Sequence, residues 1–163
     1  GSEMCIRDRS KYVAGQPWVG ATLTMFAGPD GVMGGFTAWD PIKGKNVWYN
    51  KEKFSAWGGV LTTASDLVFY GTLDRWFKAV DAQSGKELWK FQVGSGVIGN
   101  AFTYGHKGKQ YVGVLSGIGG WAGVAMNLGM TNPTDALGAA GGYAELTKYN
   151  AAPGGGALSV FSL

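Results

Sequence analysis

The sequence has one cysteine and one histidine in 163 residues, and each scarcity excludes a class of chemistry. Cys5 has no partner within the chain, so no internal disulfide forms and cysteine counting is silent on redox compartment. The only histidine, His106, falls in the glycine-flanked turn Gly105-His106-Lys107-Gly108. A histidine-based metal centre or serine–histidine catalysis therefore has little to work with. No uninterrupted apolar run reaches the ~20 residues that a membrane-spanning helix needs. Charge is sparse as well: 14 basic against 11 acidic residues leave a net charge of +3. The basic residues do not gather into the stripe that marks a nucleic-acid surface.

Glycine (29) and tryptophan (7) are abundant by contrast. Glycine supplies tight turns and close backbone approach, and tryptophan supplies large flat packing surfaces. With few stretches of helical periodicity, the two together predict many short strands joined by turns. Residues 1–10, GSEMCIRDRS, do not share this texture. They lack the apolar stretch and small-residue cleavage site of a signal peptide and are expected to be a non-native leader. Residues 11–163 are then one domain, entered mid-fold at Lys11.

An internal repeat organises that domain. Ala38-Trp39-Asp40-Pro41-Ile42-Lys43-Gly44-Lys45-Asn46-Val47-Trp48 and Ala79-Val80-Asp81-Ala82-Gln83-Ser84-Gly85-Lys86-Glu87-Leu88-Trp89 share A-x-D-x-x-x-G-K-x-x-W. The offset is a constant 41 residues, with Asp81 against Asp40, Gly85 against Gly44 and Trp89 against Trp48. The physical reading is a hairpin. The Asp carboxylate bonds turn backbone two residues on, Gly takes the left-handed position, and a second strand runs through the Trp.

Around the second copy four strands can be traced: 59–64, 66–71, 76–81 and 86–93. Four antiparallel strands in about 41 residues is the size of a propeller blade. The next unit begins with strands at 97–104 and 110–116. An excursion then runs from about Gly117 to Gly156, where Tyr143–Tyr149 has the pattern of a short helical turn. Strand character resumes at Ala157–Leu163, which lacks the turn and the Trp. The expectation is an all-β, partial β-propeller of about two and a half four-stranded antiparallel blades with a long Gly-rich insertion. A connection of that length favours a functional loop.

The repeat resembles the tryptophan-docking motif of quinoprotein dehydrogenases, in which Trp48 and Trp89 would stack on the neighbouring blade against the Ala and Gly of a motif copy. The motif marks architecture rather than cofactor, since propellers of the outer-membrane assembly lipoprotein type carry similar repeats. The segments YVAGQPWVGATLTMFAGPDG, DLVFYGTLDRWFKAVDAQSGKELWKF, IGNAFTYGHKGKQYVGVLSGIGGWAGV and LGAAGGYAELTKY are similar to the C-terminal part of methanol dehydrogenase large subunits. That resemblance implies an eight-bladed propeller, pyrroloquinoline quinone (PQQ), and a bound Ca2+ or lanthanide. It also implies periplasmic oxidation of primary alcohols, with electrons leaving to cytochrome c, by an oligomer of the intact large subunit. The stretch AGVAMNLGMTNP is closer to the lanthanide-dependent branch.

Trp57 stands just before the first strand of the complete blade, and first strands line a propeller's central channel. Its repeat-equivalent is Ile98, so the repeat itself does not call for an aromatic there. By resemblance Trp57, Gly120 and Trp121 contact the quinone, Trp121 also faces the alcohol, and Leu128 and Leu137 limit substrate size. The bland alternative makes all of them packing residues. The resemblance finds no match in this sequence for the family's general base, metal ligands, quinone-polarising cation or vicinal disulfide. Gly94-Ser95-Gly96-Val97-Ile98-Gly99 spells a dinucleotide fingerprint, yet strand-like sequence follows where that motif needs a helix. It is read as a turn. The rival to an enzyme is a non-enzymatic propeller scaffold, for which the GIGGW opening of the excursion has no evident use.

Overall fold

A computed structural model describes residues 26–119 and 155–163, together with Ala14 and the backbone of residues 2–6 and 21–25. Every regular element among the described residues is a β-strand. Within the opening stretch, β1 (Ser2–Ile6) pairs antiparallel with β2 (Ala21–Met25). These two lie in one compact unit, and the remaining strands lie in a second. There β3 (Gly34–Asp40) and β4 (Lys45–Glu52) form a hairpin. Next, β5 (Leu61–Thr62), β6 (Leu67–Gly71), β7 (Trp76–Asp81) and β8 (Glu87–Gln92) form a four-stranded antiparallel meander. Finally β9 (Ala101–His106), β10 (Lys109–Ser116) and β11 (Ala157–Ser162) form a sheet in the order β11-β10-β9. One complete blade is thus flanked by two partial ones.

Both repeat hairpins turn by the same chemistry. Asp40 Oδ1 accepts the backbone N–H groups of Ile42 at 2.9 Å and Lys43 at 3.0 Å. Asp81 Oδ1 accepts the Ser84 N–H at 2.7 Å and the Ser84 hydroxyl at 2.6 Å. The Ser84 hydroxyl first, and its backbone N–H second, hold the Asp81 carboxyl below the usual carboxylate range. Gly44 (φ 61°) and Gly85 (φ 70°) take the left-handed conformation that closes each turn. The register shifts at Ala38/Trp39 and again at Ala79/Val80, the same step of the repeat.

The two indoles meet different surroundings. Trp48 lies against Gly85 of the following hairpin and donates Nε1–H to the Ala82 carbonyl at 2.9 Å. Asn50 on the same strand donates to the Gly85 carbonyl at 2.6 Å. Among the described residues Trp89 meets the β11 strand rather than a turn. It packs edge-on against Phe161 at 5.0 Å between ring centroids and stays 37% exposed. The apolar groove left beside it, about 600 Å3, is lined by Leu67, Phe77 and Val160 among others.

Strand alternation puts the complete blade between its neighbours. Val68, Tyr70 and Val80 face one way and pack with Phe36 and Trp48. Phe69, Phe77 and Ala79 face the other way and pack with Val93, Val97, Val112 and Val114. Each fully buried Val or Phe among them contributes about 1.5–3 kcal/mol relative to exposure.

Two inner strands are shorter than the sequence suggests. β5 covers Leu61–Thr62 rather than 59–64, because the Gly59 N–H goes to the Asn100 side chain instead of a strand partner. β9 begins at Ala101 rather than Val97, because the Val97 N–H is donated to the Thr72 carbonyl at 3.0 Å. Its turn is also tighter: β9 runs through His106, leaving Lys107 and Gly108 with positive φ between the strands. Residues 94–99 carry no helix, so the glycine triplet there is a connection. Tyr143–Tyr149 lies outside the described residues.

Candidate functional site

β5 and β9 hold the first-strand position in neighbouring sheets, and the segments leading into them touch. A Cβ on Gly58 would come within 2.8 Å of the Gly99 carbonyl oxygen. The Gly59 N–H donates to Asn100 Oδ1 at 2.8 Å. Gly58 and Gly99 are equivalent repeat positions, as are Gly59 and Asn100, both 41 residues apart. Like positions of successive sheets therefore converge at this edge, as inner strands do around a common axis.

Trp57 sits immediately before this convergence and is 41% exposed. On the far side, Gly117 donates its N–H to the Gly96 carbonyl at 2.8 Å and pairs in parallel with Val97. The glycine stretch that opens the excursion thus starts beside the entry to β9. Gly120, Trp121, Leu128 and Leu137 lie outside the described residues. A part-exposed indole at such an edge suits contact with a flat ring system. Among the described residues, no group of three or more His, Cys, Asp or Glu could hold a metal ion.

Sequence reasoning missed a buried polar cluster next to this edge. Glu52, the last residue of β4, is only 5% exposed. Lys78 Nζ on β7 donates to both of its oxygens at 2.9 Å, and the Tyr70 hydroxyl on β6 donates to Oε1 at 2.6 Å. Lys78 also lies 3.8 Å from Glu87 on β8. Glu52 sits in Lys51-Glu52-Lys53, a run that looks solvated. The one available signal was Lys78, an inward position of a strand whose neighbours Phe77 and Ala79 are apolar.

Burial first, then the hydrogen bond to Glu52 and its charge, push the Tyr70 phenol well above the ordinary tyrosine range. The fold therefore binds this proton more tightly than the unfolded chain does. The resulting stability is fully present below the unfolded value of about pH 10 and declines as pH rises beyond it. Tyr70→Phe is expected to flatten the alkaline loss of thermal stability above about pH 10. An equally steep loss in the variant would assign it to another group.

The PQQ-linked "Glucose/ethanol/alcohol dehydrogenase, beta-propeller domain" family matches residues 32–112, which include both repeat hairpins and the converging inner strands. The chain is also 58% identical to the lanthanide-dependent methanol dehydrogenase of Methylorubrum extorquens, over 95% of this chain and 26% of that protein. The chain belongs to the PQQ dehydrogenase propeller family. A second relative, methanol dehydrogenase [cytochrome c] subunit 1 of Methylobacterium organophilum, is 48% identical over 93% of this chain and 25% of its own length. Among solved structures, a europium-containing methanol dehydrogenase superposes with a TM-score of 0.81 at 47% identity. The superposition covers 95% of this chain and 28% of that one. The chain thus spans about a quarter of the length of these curated relatives.

Proposed function

We propose that this chain is part of a periplasmic quinoprotein that oxidises methanol or another primary alcohol to the aldehyde, using PQQ and a bound lanthanide or Ca2+. Electrons leave to a cytochrome c, and the intact large subunit assembles with copies of itself. What supports the reading most is the part-exposed Trp57 indole at the edge where inner strands converge, in a chain so similar to methanol dehydrogenases. The highest identity quoted above, 58%, is to a lanthanide-dependent enzyme and favours that metal. No helix among the described residues is long and apolar enough to cross a membrane.

In this reading Trp57 offers its indole N–H and Gly120 a backbone edge to the quinone, and Trp121 walls the pocket toward the alcohol. Leu128 and Leu137 narrow the pocket so that small alcohols fit. When bound, the quinone takes up the electrons of alcohol oxidation and the metal acts as a Lewis acid upon it. The residues of this chain orient the ring and exclude water, while the base and metal ligands belong to the rest of the protein.

The test uses the full-length protein. Trp57→Ala is expected to weaken PQQ binding about tenfold, since it removes an indole N–H hydrogen bond worth about 0.5–1.5 kcal/mol together with the apolar contact of the ring. Equilibrium titration of the metal-loaded apoprotein measures it, and an unchanged affinity would remove Trp57 from the site. Methanol oxidation by the PQQ-loaded protein with a lanthanide, compared with Ca2+, tests the activity and the metal together.

A further inference from the structure

The segment from Lys53 to Val60 crosses from β4 to β5 and carries Trp57. It is held at both ends by polar contacts that the sheets themselves do not require. At one end, Glu52 is gripped by three donated hydrogen bonds, two from Lys78 and one from Tyr70. At the other, Asn100 Oδ1 accepts the Gly59 N–H, and a Cβ on Gly59 would collide with that same Asn100 amide. Between the two, the Phe54 side chain is buried, 5% exposed.

A buried ion pair is a poor source of net stability, because desolvation offsets most of the attraction. What three directed hydrogen bonds do supply is a fixed carboxylate, and hence a fixed backbone at the residue that launches the crossing segment. The Asn100 contact fixes the backbone two residues beyond Trp57. The backbone that carries the Trp57 indole is thus fixed on both sides of it.

We propose that Glu52, Lys78, Tyr70 and Asn100 are positioning residues that clamp the 53–60 segment from both ends and so orient the Trp57 indole toward the quinone. This rests on the reading of Trp57 given above. Asn100 is the informative site, because it is exposed and its loss leaves the buried cluster intact.

The experiment uses the full-length protein labelled with 5-fluorotryptophan, in which the Trp57 19F resonance is the one absent from Trp57→Phe. Asn100→Ala should shift and broaden that resonance while leaving the Trp48 resonance in place. Losing one neutral hydrogen bond at the clamp should weaken PQQ binding about three- to tenfold, by titration of the metal-loaded apoprotein. Asn100→Asp, which keeps the accepting oxygen, should restore both readouts. Glu52→Gln, which keeps the side-chain shape, should move the same resonance from the other end. A Trp57 resonance unmoved in both Asn100→Ala and Glu52→Gln overturns the clamp. A moved resonance with undiminished affinity, where Trp57→Ala does lose affinity, overturns the orienting role. If neither Trp57→Ala nor Asn100→Ala changes affinity although the resonance moves, the clamp stands and the quinone reading of Trp57 falls.

Discussion

Lys78→Met is expected to lower the local opening free energy of β6 and β7 by about 3–5 kcal/mol, the usual cost of stranding a buried charge. The side chains of Lys78 and Glu52 are only 15% and 7% exposed, so water cannot replace the lost ammonium at the carboxylate. Tyr70 would remain as its closest donor, and one neutral hydroxyl does not balance a buried anion. Glu52→Ala should cost a similar amount by stranding the ammonium, softened by Glu87 at 3.8 Å from Lys78. The double change Glu52→Leu with Lys78→Met should recover most of either loss, because no charge is then left unpaired. Hydrogen exchange of the β6 and β7 amides in the full-length protein measures all three. Additive single-variant losses in the double variant would mean that the two side chains do not act as a pair.

The hairpins were legible because their chemistry is local. An Asp two and three residues before the N–H groups it caps, and a Gly at the left-handed position, can be read from spacing alone. β7 emerges with the bounds read from the sequence, since a tight turn precedes it and the Asp turn follows. The inner strands were less legible because what shortens them is distant in sequence. The Asn100 side chain takes the Gly59 N–H, and the Thr72 carbonyl takes that of Val97. Neither contact leaves a periodic trace. At the candidate site, the place of Trp57 follows from counting repeat positions. The Glu52 cluster was hidden, because a glutamate between two lysines carries no sign that one of the three charges is buried. The pocket residues suggested beyond Gly119 lie in the Gly-rich excursion, where no periodicity fixes neighbours and only resemblance assigned roles.

The two repeat glycines separate backbone strain from packing. Gly44→Ala and Gly85→Ala both force a side chain into left-handed backbone, φ 61° and 70°, at about 1–2 kcal/mol. At Gly44 a Cβ meets nothing within 4 Å, so within this chain that strain is the whole cost. At Gly85 the Cβ would come within 2.6 Å of the Trp48 ring, at the rigid root of the indole rather than at a flexible tip. The ring must move, and its 2.9 Å Nε1–H bond to Ala82 goes with it, another ~1 kcal/mol together with lost packing. Gly85→Ala is therefore expected to cost about 3–4 kcal/mol in all, read from hydrogen exchange across β7 and β8 in the full-length protein. A loss below about 1.5 kcal/mol would mean that Trp48 does not bear on this glycine. The same measurement at Gly44 then says what precedes β3 in the intact ring. A loss matching that at Gly85 requires a docking tryptophan from an earlier blade, and a loss near the strain alone means that no indole reaches Gly44.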